Sequence, residues 1–145
     1  MPRRLKVPWL SAALTGLLAG CATPPAPEQP APGQALLTLH APPADYLDVQ
    51  RLDGTRLDTG GPALQLSPGA HDLLLRYQYD SRQGSGLFGD PRQVVCNLRL
   101  RYTFEAGQRY RLEVRPLVLQ AQGWLYGPAR DKPLTRAEVV RCRPF

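Results

Sequence analysis

The stretch VCNLRLRYTFEAGQRYRLEVRP, Val95 to Pro116, alternates apolar and polar side chains almost without a break. Successive side chains on a strand point to opposite faces, so a period of two belongs to β-structure with one face buried and argues against an amphipathic helix. One face carries Leu98, Leu100, Tyr102 and Phe104, the other Arg99, Arg101, Thr103 and Glu105. Ala106-Gly107-Gln108 turns the chain, and the return segment sets Tyr110, Leu112 and Val114 against Arg109, Arg111, Glu113 and Arg115. The expectation is a hairpin, apolar inside and arginine-rich outside.

The same period runs through the chain from residue 35 onward. ALLTLH (Ala35–His40) is a short strand. In DYLDVQRL (Asp45–Leu52), Leu47 and Val49 share a face opposite Tyr46, Leu52 joins them only after a one-residue slip, and the Asp53-Gly54 pair that follows suits a tight hairpin turn. PALQLSPGAHDLLLRYQYD places Leu64 and Leu66 on one face and turns at Ser67-Pro68-Gly69. It then opens a long strand in which His71, Leu73, Leu75, Tyr77 and Tyr79 share a side. SRQGSGLFGDP (Ser81–Pro91) reads as a loop from its three glycines and one proline, with Leu87 and Phe88 at its tip either folded back on the core or offered to a partner or lipid. LVLQAQGWLYGPA is a further strand and turn, and TRAEVVRC (Thr135–Cys142) is a final strand or one helical turn. The fold class expected is all-β, a single small antiparallel β-sandwich.

The N-terminus is of another kind. Arg3, Arg4 and Lys6 precede an apolar run from Val7 to Gly20. That run is shorter than the roughly 20 residues a spanning helix needs, and a basic head followed by a short apolar stretch describes a secretory signal peptide. Leu18-Ala19-Gly20-Cys21 resembles the lipobox of bacterial lipoproteins. The resemblance implies diacylglycerol on the Cys21 sulfur, cleavage after Gly20, and acylation (palmitate or similar) of the new amine. Two or more acyl chains make a stable anchor where one is marginal. The residue after Cys21 is Ala22 and not aspartate, which by the same resemblance sends the protein to the outer membrane, facing the periplasm. The chain divides into a signal peptide (1–20), the lipidated cysteine with a proline-rich tether (21–34), and the β-sandwich domain (35–145).

Composition narrows the partners. Of 18 Lys and Arg residues, Arg3, Arg4 and Lys6 lie in the signal, which leaves 15 against 12 Asp and Glu, about +3. So mild a charge does not call for nucleic acid. With Cys21 lipidated, Cys96 and Cys142 remain in an oxidising compartment, where a disulfide is the expectation. The alternatives, a metal pair or a reactive thiol, have no histidine or second motif beside them.

LDVQRLDG followed by LQLSPGAHDLLLRY resembles the β-sandwich unit of PEGA-type domains in bacterial envelope proteins, and also a family of small periplasmic proteins that restrain curli assembly. The matching residues are Asp53, Gly54, Pro68, Gly69, His71, Arg76 and Tyr77, and Phe104, Ala106, Gly107, Tyr110, Arg111 and Leu112 look like the second hairpin of such lipoproteins. The resemblance implies a non-catalytic envelope module.

Signals for catalysis are sparse. His40 and His71 are the two histidines, and the serines beyond the signal are Ser67, Ser81 and Ser85, at turns or in the loop. No Gly-x-Ser-x-Gly, zinc spacing or lysine-bearing phosphate loop occurs, so no catalytic residue, metal or cofactor is assigned. His71 reads as a structural histidine bonded across its turn. Arg99, Arg101, Arg109, Arg111 and Arg115 form one possible patch for an anionic partner, or a solvated face screened by Glu105 and Glu113. The expected function is that of a binding or accessory module, held to the membrane by its lipid and facing an envelope protein. The alternative is a module for anionic polymer, peptidoglycan or lipopolysaccharide, and a cell-wall hydrolase has the least support.

Overall fold

The computed structural model describes residues 26–58, 60–82 and 90–145. The signal peptide, the lipobox residues Leu18, Ala19, Gly20 and Cys21, and the loop residues Leu87 and Phe88 lie outside the described residues.

Nine strands and no helix occur among the described residues: β1 (Ala35–His40), β2 (Tyr46–Leu52), β3 (Thr55–Arg56), β4 (Ala63–Leu66), β5 (Gly69–Ser81), β6 (Arg92–Phe104), β7 (Arg109–Leu117), β8 (Gln120–Tyr126) and β9 (Pro133–Pro144). They form one curled sheet in the order β3-β2-β5-β6-β9-β8-β7-β1-β4. The fold is the expected small β domain, a sandwich made by one sheet curled over on itself. The strand that joins its two halves is β9. Its first half pairs with β8 up to Gly123↔Ala137, and its second half pairs with β6 from Arg99↔Glu138 to Val94↔Pro144. A register shift lies in each half, leaving Leu134 and Val140 as extra residues, and such bulges bend a strand and raise its twist.

The core lies between the two halves. Leu73, Leu75 and Tyr77 of β5 and Val94, Cys96, Leu98 and Leu100 of β6 are fully buried against Leu112 and Val114 of β7 and Leu125 of β8. Leu73, Leu75, Tyr77, Leu98, Leu100, Leu112 and Val114 are residues that the alternation groups on the apolar faces. At the fold-over the side chains are small. A methyl built on Gly123 would stand 3.0 Å from the Ala137 Cβ and 3.3 Å from Leu98.

The turns follow their chemistry. Asp53 and Gly54 both have positive φ, 50° and 82°, which is the two-residue hairpin geometry that joins β2 to β3. The slip between Val49 and Leu52 is a bulge at Gln50. Thr135–Cys142 lies within β9 and is strand, not helix.

Two expectations are corrected. The segments around Gly107 are not a hairpin: β6 pairs with β5 and β9, β7 pairs with β8 and β1, and the Ala106–Gln108 turn carries the chain from one half of the sandwich to the other. Alternation dictates which side chains turn inward, and an arch satisfies it as well as a hairpin does. The arch also sets the two apolar faces against each other. The sheet is not wholly antiparallel either, since β1 runs parallel to β7 in the register Leu36↔Arg109 to His40↔Glu113.

The end of the proline-rich segment is tied to the domain. The Ala31 N–H donates to Gln65 Oε1 at 3.0 Å, and Gln65 Nε2 donates to the Gln29 carbonyl at 3.2 Å. At the opposite end, Tyr79 Oη is 2.8 Å from the carbonyl oxygens of both Val118 and Gln120, bracing the β7–β8 turn.

Candidate functional site

The outward face of β1, β7, β8 and the start of β9 collects the richest set of polar and aromatic side chains. Register sets them in rows. One row runs His40, Glu113, Trp124, Arg136 across four strands, and the next runs Thr38, Arg111, Tyr126. Their neighbours along each strand, Leu37, Leu39, Leu112, Val114 and Leu125, point into the core, so the pleat itself aims this set outward.

Glu113 is the hub. Arg111 Nε donates to its Oε1 at 2.6 Å, Arg130 Nη2 reaches the same oxygen at 3.2 Å, and Arg115 Nη2 reaches Oε2 at 3.2 Å. Arg111 and Arg115 flank Glu113 on β7. Arg130 arrives from the β8–β9 connection, where the Arg130 N–H donates to the Gly127 carbonyl and Arg130 itself has φ 54°. Burial pushes the Glu113 carboxyl upward, but the hydrogen bonds and charge of Arg111 and Arg115 outweigh it and hold it below the ordinary glutamate range. His40 is held below its ordinary value, first by burial and then by the Arg111 charge, so its ring is neutral at pH 7. One carboxylate therefore serves three guanidinium groups, and positive charge is left over.

Two shallow recesses open on this face. One, of about 230 Å³, lies among His40, Pro42, Arg111, Glu113 and Arg115. The other, of about 320 Å³, lies among Glu28, Thr38, Arg109, Arg111, Pro128 and Arg130. Leu36 has the outward phase of β1 yet is buried, and it forms part of the wall of the second recess. Beside them the Arg136 guanidinium lies 5.2 Å from the centroid of the Trp124 ring, and no carboxylate pairs with it among the described residues.

The five arginines singled out in the sequence do not form one patch. Arg109, Arg111 and Arg115 belong to this face, while Arg99 and Arg101 lie on β6, outside the other half of the sandwich. There both share Asp72 of β5: Arg99 Nε is 3.3 Å from Asp72 Oδ1 without hydrogen-bond geometry, and Arg101 Nε is 3.2 Å from Oδ2. The patch was expected from a β6–β7 hairpin, and the arch divides it. Of the expected screening acids, Glu113 has that role and Glu105 makes its contact through its backbone, donating to Tyr110 Oη at 3.0 Å. Trp124, Tyr126 and Arg136 alternate within their strands and Arg130 lies in the β8–β9 connection, but no local pattern marks them as one set, because their neighbours depend on strand order.

Cys96 and Cys142 stand directly opposite each other on β6 and β9 with their sulfurs 2.02 Å apart, the expected pairing. Among the described residues no group of three or more His, Cys, Asp or Glu is placed to hold a metal.

One further constellation has the outline of a hydrolase triad. His71 Nδ1 lies 2.6 Å from Asp53 Oδ2, and His71 Nε2 lies 3.2 Å from Ser67 Oγ. The same Nε2 is 2.8 Å from the Ser67 carbonyl oxygen, which accepts only. While Nε2 donates to the Ser67 carbonyl it has no lone pair to take a proton from the Ser67 hydroxyl. The group is a clamp between two turns, in keeping with the bond across the turn expected of His71.

Comparison with protein-family models, curated proteins and solved structures found no significant match to this chain.

Proposed function

We propose that this chain is a non-catalytic lipoprotein of the bacterial envelope, anchored through Cys21 in the outer membrane and facing the periplasm, and that it binds an anionic envelope polymer on the outer face of β7 and its neighbours. The observation that carries the binding reading is the gathering of Arg111, Arg115 and Arg130 on the single carboxylate of Glu113. Guanidinium groups in excess of their carboxylates, on an open sheet face, suit bidentate contacts to carboxylate or phosphate. The lipobox-like Leu18-Ala19-Gly20-Cys21 and the PEGA-like segments support the address and the non-catalytic role.

The test is co-sedimentation of the purified domain with isolated peptidoglycan and with lipopolysaccharide. Arg111→Glu with Arg115→Glu is expected to abolish binding, and Arg99→Glu with Arg101→Glu to preserve it. Equal loss in both pairs, or no binding by the parent protein, overturns the site. For the anchor, Cys21→Ala is expected to move the protein from the membrane to the soluble fraction.

A second reading, an accessory subunit of a protein assembly, draws on the β7–β8 turn, where Leu117, Val118 and Leu119 are all exposed, at the end of the domain remote from Gln65 and the tether. Crosslinking in envelopes to one stoichiometric protein, lost with Leu117→Asp and Leu119→Asp, would favour it.

A further inference from the structure

The anion-binding face also carries an aromatic platform, and the two are interleaved. Trp124 and Tyr126 sit two residues apart on β8, about 6.6 Å along the strand. Each has an arginine directly across a strand boundary, Arg136 of β9 beside Trp124 and Arg111 of β7 beside Tyr126. The two arginines thus lie on opposite sides of the aromatic pair. The Arg136 guanidinium stacks on Trp124 and has no ion-pair partner among the described residues. Arg111 meets Glu113 through Nε, which leaves its Nη edge for a second acceptor.

A simple polyanion makes no use of the rings. Two aromatic side chains on one strand, each with an arginine directly across a strand boundary, match a ligand whose units each present an apolar face and a carboxylate. Sugar acids have that shape: the axial C–H groups of a pyranose ring form a weakly polar face, and the carboxylate projects from the rim. Charge at alternate edges of successive rings matches arginines on the two sides of β8. Resting on the anion-binding reading above, we propose that the ligand is an acidic glycan, its sugar rings stacked on Trp124 and Tyr126 and its carboxylates paired with Arg136 and Arg111. A bound ring displaces the Arg136 guanidinium from the centre of Trp124 to its edge, a small cost because an exposed cation–π contact is weak.

The experiment is calorimetric titration of the purified full-length protein in detergent with three probes of similar length: an oligomer of galacturonate, the neutral galactose oligomer, and poly-glutamate. The galacturonate oligomer is expected to bind most tightly, with the neutral sugar and poly-glutamate each about tenfold or more weaker. Trp124→Ala is expected to weaken galacturonate binding by about tenfold, as loss of a central aromatic anchor does, while leaving poly-glutamate unchanged. Arg111→Glu is expected to weaken both. If poly-glutamate binds as well as the acidic sugar and Trp124→Ala changes neither, the glycan assignment falls and the anion site stands. If no anionic probe binds, both fall. Circular dichroism of each variant separates loss of binding from loss of fold, and Trp124→Phe, which keeps an aromatic face, is expected to restore most of the affinity.

Discussion

His71 Nδ1 lies 2.6 Å from Asp53 Oδ2, joining the β2–β3 turn to the start of β5. Burial disfavours the charged ring, but the Asp53 hydrogen bond, the Ser67 carbonyl and the Asp53 charge outweigh it, and the His71 pKa is raised above 6.5. The clamp's contribution is fully present below the unfolded pKa of about 6.5 and is lost as pH rises through the higher folded value. Asp53 is held below its ordinary value, first by the Asp72 N–H and then by His71, so its share is lost as pH falls through that depressed pKa. His40, with its lowered pKa, acts in the opposite sense below pH 6.5. The measurement is therefore the difference in denaturation midpoint between the parent and His71→Gln, which is expected to be largest near pH 6 and to shrink toward pH 9.

Glu113 organises the arginine face and also competes for it. Glu113→Gln is expected to cost about 1–3 kcal/mol of stability, because charge-assisted bonds to Arg111, Arg115 and Arg130 are lost. It is expected at the same time to tighten binding of any anionic ligand, since the guanidinium groups are released. Chemical denaturation and titration of the same variant check both, and weakened binding with an intact fold would show that Glu113 holds the arginines in place for the ligand.

The Cys96–Cys142 pair, 46 positions apart in sequence, joins β9 to β6. In the chain-entropy account the loop so closed contributes about 4 kcal/mol. Cys142→Ser is expected to lower the thermal midpoint strongly, and a reductant to lower the parent's midpoint while leaving that of the variant unchanged.

The β7–β8 turn holds a β-branched residue, Val118, at φ 56°, a backbone region such residues avoid. Tyr79 braces it through two carbonyls. Tyr79→Phe is expected to destabilise by about 1–2 kcal/mol, and Val118→Gly, which relieves the strain, to be neutral or stabilising. Urea titrations of the two variants are the check, and a strongly destabilised Val118→Gly would mean that the valine side chain, and not the backbone, matters there.

Where the sheet folds over, Gly123 faces Ala137 and Leu98. Gly123→Val is expected to cost about 1–3 kcal/mol by overpacking, because the fold-over brings two backbones close and leaves no void to fill. A paired Ala137→Gly is expected to recover part of that loss in the same denaturation assay.

What the sequence determined by itself is local and periodic. Which residues form strands, which of their side chains turn inward, where Asp53-Gly54 and Gly69 bend the chain, and that Val49 and Leu52 need a slip between them all follow from a two-residue period and from turn chemistry, properties of neighbours along the chain. Strand order does not follow from them. The Ala106–Gln108 turn serves a hairpin or an arch equally well, and the choice falls to the arch because it buries Leu98 and Leu100 of β6 against Leu112 and Val114 of β7, across the core and not side by side in one sheet. That choice separates Arg99 and Arg101 from Arg111 and Arg115, sets β1 parallel to β7, and brings Trp124, Arg130 and Arg136 to the face of Glu113. The candidate site is a product of strand order, and strand order is settled by packing between residues far apart in sequence, which no local pattern carries.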